Sequence, residues 1–133
     1  MMERRQANFL ALVAAQMAHS LEEYVGRLYD VFPPAVFVSG LLLADRRLGF
    51  IAFNLALIAF GVLCFLGPVR RHWSSAVALG WLWVGLELVN GIGHSLWSFY
   101  QRAYTPGVAT APLLLVLALL LARDLRAVPR QGS

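Results

Sequence analysis

Residues 48–66 read LGFIAFNLALIAFGVLCFL, nineteen residues with a single polar side chain, Asn54, and no charge. At about 1.5 Å of rise per residue, a helix of this length nearly crosses the ~30 Å hydrocarbon core of a bilayer. The spacing of breakers on either side extends this reading along the chain. Upstream lies the charged turn Asp45-Arg46-Arg47, preceded by a short apolar segment at about 34–44 and by Pro33-Pro34. Proline lacks the amide donor and disfavours helix before it, so Pro33-Pro34 ends a first segment at about 8–29. Downstream, the turn 67–72 separates the central run from a long segment at about 74–100. A last segment follows at about 107–122. These boundaries predict one all-α membrane domain over residues 1–133, an integral membrane bundle of about five transmembrane helices. Segment 34–44 is short for a span, and four spanning helices plus a re-entrant piece is the alternative.

Composition agrees with this class. The chain has 133 residues and is 59% hydrophobic and 14% charged, where soluble domains average roughly 45–50% apolar and about 25% charged. A soluble enzyme, a disordered tail and a disulfide scaffold are excluded on these grounds. The net charge is +4, and all 11 basic residues are arginines. They cluster as Arg4-Arg5, Arg46-Arg47 and Arg70-Arg71 between apolar stretches, where topology-setting charges sit against anionic headgroups. Membrane lipid is therefore the expected partner, and nucleic acid is not. For five spans, the two membrane faces carry Arg4, Arg5, Arg46, Arg47 and Arg102 against Arg27, Arg70, Arg71, Arg123, Arg126 and Arg130, which sets no orientation. The single Cys64 forms no internal disulfide. The N-terminal apolar stretch runs into His19 and Glu22-Glu23 without a small-residue cleavage site and does not read as a signal peptide.

The informative residues are polar ones inside apolar segments. On a helix, His19, Glu22 and Glu23 share one side, with Gln16 one turn earlier. In the long segment, Glu87, Asn90 and His94 fall on one narrow stripe. A carboxylate at the bilayer centre costs about 2.5–3.5 kcal/mol even on a lenient scale. That cost falls if the groups face one another, share protons or bind a cation. His19, Glu22 or Glu23, Glu87 and His94 are therefore expected to converge in one buried site. Antiparallel pairing of these two segments would put Glu23 level with Glu87 and His19 level with Asn90. The bland reading is a polar network gluing helices, with Glu22 and Glu23 at headgroup depth. Asn54 fits interhelical glue or site equally well, and Arg27 with Asp30 reads as interfacial. A third feature is Tyr104-Thr105-Pro106-Gly107-Val108-Ala109-Thr110. Pro106-Gly107 is a turn signal, and the Tyr104 and Thr110 hydroxyls flank it. Tyr104 is expected to close over the cavity, while Thr105 serves equally as a helix cap.

Together, these features resemble the HXXEE family of small bacterial membrane proteins. His19-Ser20-Leu21-Glu22-Glu23 matches the motif that names the family. Asn90-Gly91-Ile92-Gly93-His94 matches its NxxxH element, and Tyr104, Pro106, Gly107 and Thr110 match its YxPGxxT element. The resemblance implies an integral protein of the bacterial inner (plasma) membrane and an enzyme, without supplying a substrate.

Three chemistries suit such a cluster. The first is a metal-dependent enzyme in which His19, Glu22, Glu23, Glu87 and His94 offer ligands to Zn, Fe or Mn. Glu22, Glu23, Glu87, Asn90, Tyr104 and Thr110 would be the catalytic set, acting on a lipid-soluble small molecule. There is no His-Glu-x-x-His, so zinc-protease chemistry is not indicated. The second is metal-free acid–base catalysis on an isoprenoid-like lipid, with a buried carboxylic acid as proton donor. The third is a proton or cation carrier, for which a homo-oligomer would supply the missing second half. A structural or accessory role is the remaining alternative.

Overall fold

A computed structural model describes residues 1–127, which form six α-helices: α1 Arg4–Val25, α2 Leu28–Val31, α3 Pro33–Leu42, α4 Arg46–Cys64, α5 Ala76–Gln101 and α6 Ala111–Arg126. Local chemistry sets each end. Glu3 and Gln6 form a reciprocal capping box at the start of α1, satisfying amides that have no partner within the helix. After Gly26, Arg27 turns the chain through a left-handed conformation (φ 56°) and starts the four-residue α2. Pro33 and Pro34 occupy the first turn of α3, where the missing amide costs nothing. The Asp45 carboxylate caps α4, accepting from Arg47 N at 2.9 Å and Leu48 N at 3.2 Å. Pro68 interrupts the far end of α4, which continues as the π-helical stretch Phe65–Val69.

The expected segment 8–29 is thus α1 plus α2, separated by a turn, and the last helix begins at Ala111 rather than near 107. Helix α3 has ten residues, about 15 Å of rise, half of a ~30 Å hydrocarbon core. Among the described residues, two helices are long and apolar enough to cross a membrane: α4 with its π-helical extension, Arg46–Val69, and α5. Arg130 lies outside the described residues.

Contacts at both ends define the topology. Helix α1 runs against α4, with Ser20 bonded to Asn54 at one end and Gln6 to the Val69 carbonyl at the other. It also runs against α6, from Asn8–Asp124 to His19–Thr110. Leu125 packs over Gly80 and Leu115 over Gly91, so α5 and α6 are antiparallel. Phe9 lies edge-on to Trp83, Gln16 reaches Asn90, and Glu23 reaches His94. Helices α1 and α5 therefore run parallel, which corrects the antiparallel pairing expected from segment midpoints. That expectation counted 34–44 as a full crossing. The short α2 and α3 instead leave α1, α4, α5 and α6 as an alternating up–down set.

Phe9, Leu12, Val13, Trp83, Leu114 and Leu121 form the main core. Gly61 lets the Trp83 indole lie directly on α4, since a β-carbon there would stand 2.7 Å from the ring. The surface exposes many large apolar side chains, among them Leu55, Leu63, Val89, Leu96 and Phe99. The interior contains Gln16, His19, Glu23, Asn54, Glu87 and His94, all buried. Ionisable groups are almost never fully buried in water-soluble proteins unless paired.

Candidate metal centre

His19 and Glu23 stand one turn apart on α1, so both side chains face α5. Their partner there is His94. His94 Nε2 lies 2.9 Å from Glu23 Oε1, and His19 Nε2 lies 3.3 Å from the same oxygen. The imidazoles meet edge to face with centroids 4.7 Å apart. His19 is fully shielded, and its Nε2 has no hydrogen-bond partner. One ligand atom from each of the three residues falls within 4.8 Å of the others.

The turn between α5 and α6 determines which nitrogens point inward. His94 Nδ1 lies 2.8 Å from the Pro106 carbonyl, which can only accept, so Nδ1 carries a proton. His19 Nδ1 lies 2.6 Å from Thr110 Oγ1. The Thr110 hydroxyl donates to Glu22 Oε2 at 2.6 Å, so His19 Nδ1 is the donor to Thr110. In neutral imidazoles, both Nε2 atoms then carry lone pairs beside Glu23 Oε1. Two lone pairs and a carboxylate oxygen facing one another, shielded from water, require a shared proton or a cation between them. Histidines that ligate metals are oriented in this way, each with its other nitrogen bonded to a carbonyl, a carboxylate or a group bridging to one.

Gly107 is what lets the turn approach so closely. Its φ is +94°, outside the range of ordinary L residues, and a β-carbon there would lie 2.6 Å from His94 Nδ1 and 2.9 Å from His19 Cε1. Gly26 gives the same turn room on α1, since a β-carbon there would meet Pro106 at 2.5 Å.

The expected convergence holds for His19, Glu23 and His94 and divides the other candidates. Glu22 points away from the trio and ties down the turn. Its two oxygens accept from Tyr104 Oη at 2.7 Å, Ala109 N at 3.0 Å, Thr110 N at 2.9 Å and Thr110 Oγ1. Four donors engage this carboxylate fully. Tyr104 is 65% exposed and reaches the centre only through Glu22, rather than closing over the cavity. Its hydrogen bond to the Glu22 carboxylate pushes the phenol above the usual tyrosine range. Thr110 begins α6 but spends its hydroxyl on the His19–Glu22 bridge instead of capping the helix.

Glu87 and Asn90 lie beside Gln16, below the trio. Gln16 Nε2 donates to Ser20 Oγ at 3.0 Å, Ser20 to Asn54 Oδ1 at 2.6 Å, and Asn54 Nδ2 to the Phe50 carbonyl at 3.0 Å. This chain, which has one proton for every link, turns the Gln16 carbonyl toward Glu87, 2.8 Å from its nearer oxygen. Reversing the amide would let Gln16 donate to Glu87, but Ser20 would then need to donate its one proton twice. Glu87 as a carboxylic acid donating to Gln16 keeps every bond. Asn54 proves to be part of this network linking α1 to α4.

Sequence reasoning left Pro106 and Gly107 out of the candidate set, although it identified the turn. The carbonyl of one and the missing β-carbon of the other leave no side-chain signal to read. The sequence stripe includes Gln16 but gives it no role.

Fold and site together define an all-helical bundle enclosing a histidine–glutamate centre. The chain belongs to the HXXEE family: the family described as protein of unknown function with HXXEE motif matches residues 10–122. No curated protein and no solved structure matches the chain.

Proposed function

We propose that the chain is an integral membrane metalloenzyme in which His19, Glu23 and His94 hold one divalent ion and act on a lipid-soluble substrate. The carrying observation is the convergence of His19 Nε2, His94 Nε2 and Glu23 Oε1, with both histidines anchored at Nδ1 and His19 Nε2 left without a partner. Two imidazoles and one carboxylate are a ligand set that zinc, iron and manganese accept, and three protein ligands leave a coordination position for a substrate oxygen or water. The ion would supply Lewis acidity. The protein's contribution is to orient both imidazoles through Thr110, Glu22 and Pro106 and to exclude bulk water.

The membrane setting is supported by the many large apolar side chains exposed on the helices, the ionisable groups buried between them and the two long apolar helices. In this reading α1, α4, α5 and α6 span, and α3 is a re-entrant piece. The N-terminus, the α4–α5 turn and the end of α6 then share one face, with Arg4, Arg5, Arg70, Arg71, Arg123 and Arg126. The opposite face has Arg27, Arg46, Arg47 and Arg102. Six against four favours the first face as cytoplasmic. The metal centre then lies toward the outer face of the bacterial inner membrane.

Cobalt substitution tests the centre. Protein purified in detergent, stripped and reloaded with Co²⁺, is expected to show ligand-field absorption that disappears in His94→Ala and in Glu23→Gln. A spectrum unchanged in both variants would remove these residues from the centre. If Co²⁺ does not bind at all, the 2.9 Å His94–Glu23 contact is a shared proton, and acid–base chemistry becomes the leading reading.

A further inference from the structure

A cavity of about 190 Å³ lies between α1, α3, α4 and α5. Two of the three centre residues, Glu23 and His94, form part of its wall. Its apolar side includes Phe32 and Val38 on the α3 side and Phe50, Phe53 and Leu57 on α4. Its remaining polar lining consists of the neutral groups of Gln16, Ser39, Asn54 and Asn90. No arginine lines it. Arg27, Arg46 and Arg47 line a separate pocket with Tyr24 and Tyr29. The tilted, contacting rings of Tyr24, Tyr29 and Phe50 connect the two, Tyr24 and Tyr29 lining the arginine pocket and Phe50 the cavity.

The geometry points to this cavity as the binding site for the end of a single-chain lipid with an uncharged oxygen head: an alcohol, aldehyde or ester. This rests on the reading of His19, Glu23 and His94 as the reactive centre, because the head would sit beside Glu23 and His94. Three features of the cavity select that class. The wall formed by α3 and α4 is largely aliphatic and aromatic, which suits a chain. The volume of about 190 Å³ accommodates the end of one chain. Outside the proposed ion's own coordination position, the lining offers a phosphate head no guanidinium, only a carboxylate and neutral amides. A neutral oxygen can accept from an amide of the lining, and an alcohol can also donate to Glu23.

Binding is measurable without knowing the reaction. The probe is a spin-labelled long-chain alcohol added to the detergent-purified full chain, zinc-loaded and metal-stripped. Saturable binding to the zinc-loaded protein is expected. Unlabelled alcohol should compete, and the monophosphate of the same chain should compete at least tenfold less well. Val38→Trp and Leu57→Trp fill the cavity from different helices without touching the centre. Each should weaken binding at least tenfold while metal content stays at the parent level. Equal competition by the phosphate, or parental binding in both tryptophan variants, would overturn the assignment. The competition arm needs no variant, so it stands even if a tryptophan variant fails to fold. Should the parent hold no metal and still bind the alcohol with the same selectivity and the same response to both variants, the cavity assignment survives and the metal reading falls.

Discussion

Thr110→Val replaces one hydroxyl with a methyl group of nearly the same shape, at the point where the α5–α6 turn holds the centre. In the parent, that hydroxyl accepts from His19 Nδ1 at 2.6 Å and donates to Glu22 at 2.6 Å. Valine leaves the His19 N–H unsatisfied inside a fully buried residue, at a cost of about 1–3 kcal/mol. Glu22 keeps three donors, from Tyr104, Ala109 and Thr110 N, so the turn itself should persist. The loss should then appear mainly in the centre. Removing a hydrogen bond that orients a metal-ligating histidine typically lowers metal affinity ~10–100-fold, equivalent to about 1.4–2.8 kcal/mol. Thr110→Ser restores the hydroxyl and should recover most of the affinity. The assay is zinc titration against a competing chelator, with melting temperature in detergent measured in parallel. If Thr110→Val matches the parent within twofold, or Thr110→Ser binds as weakly as the valine variant, the anchoring argument is refuted.

Gly107→Ala should be more damaging, because the new β-carbon combines a positive φ with overlap of both imidazoles. A left-handed L residue costs ~1–2 kcal/mol and overpacking about 1–3 kcal/mol more. A melting temperature at the parent value would contradict this. Glu87→Gln should melt at or above the parent temperature and keep its metal, since an amide N–H replaces the proposed carboxylic O–H toward Gln16 and Glu87 lies outside the trio. Clear destabilisation would show that Glu87 is needed as an anion. The hydrogen bond from Tyr104 to Glu22 raises the phenol's pKa in the folded state, so it contributes stability at all pH values below the usual tyrosine range of about 10. That contribution is lost as pH rises through the elevated value. Tyr104→Phe should therefore be less stable than the parent at neutral pH and lose less on going alkaline, and parallel stability–pH curves would argue against the tether.

The all-helical character was readable from apolar run length and breaker spacing, and 48–66 lies within α4 and its π-helical extension. The stripes were readable because helical period puts His19 beside Glu23 and aligns Glu87, Asn90 and His94. What was not readable was pairing. Both helices have a polar stripe, and only the length of 34–44 decides whether they run parallel. Ten residues of α3 change that answer. The division of labour between adjacent Glu22 and Glu23 was likewise hidden. Neighbouring residues on a helix point about 100° apart, and which one meets α5 depends on where the 104–110 turn docks. That docking depends on two glycines and a proline carbonyl.

The most direct test of the account is elemental metal analysis of the detergent-purified chain and its His19→Ala, Glu23→Ala and His94→Ala variants, with helicity and monodispersity checked for each. The account predicts close to one divalent ion per parent chain and near-complete loss in all three variants, while Glu22→Gln and Glu87→Gln retain most of it. A well-folded parent with no metal after supplementation, or variants of the trio that keep their metal, would contradict it.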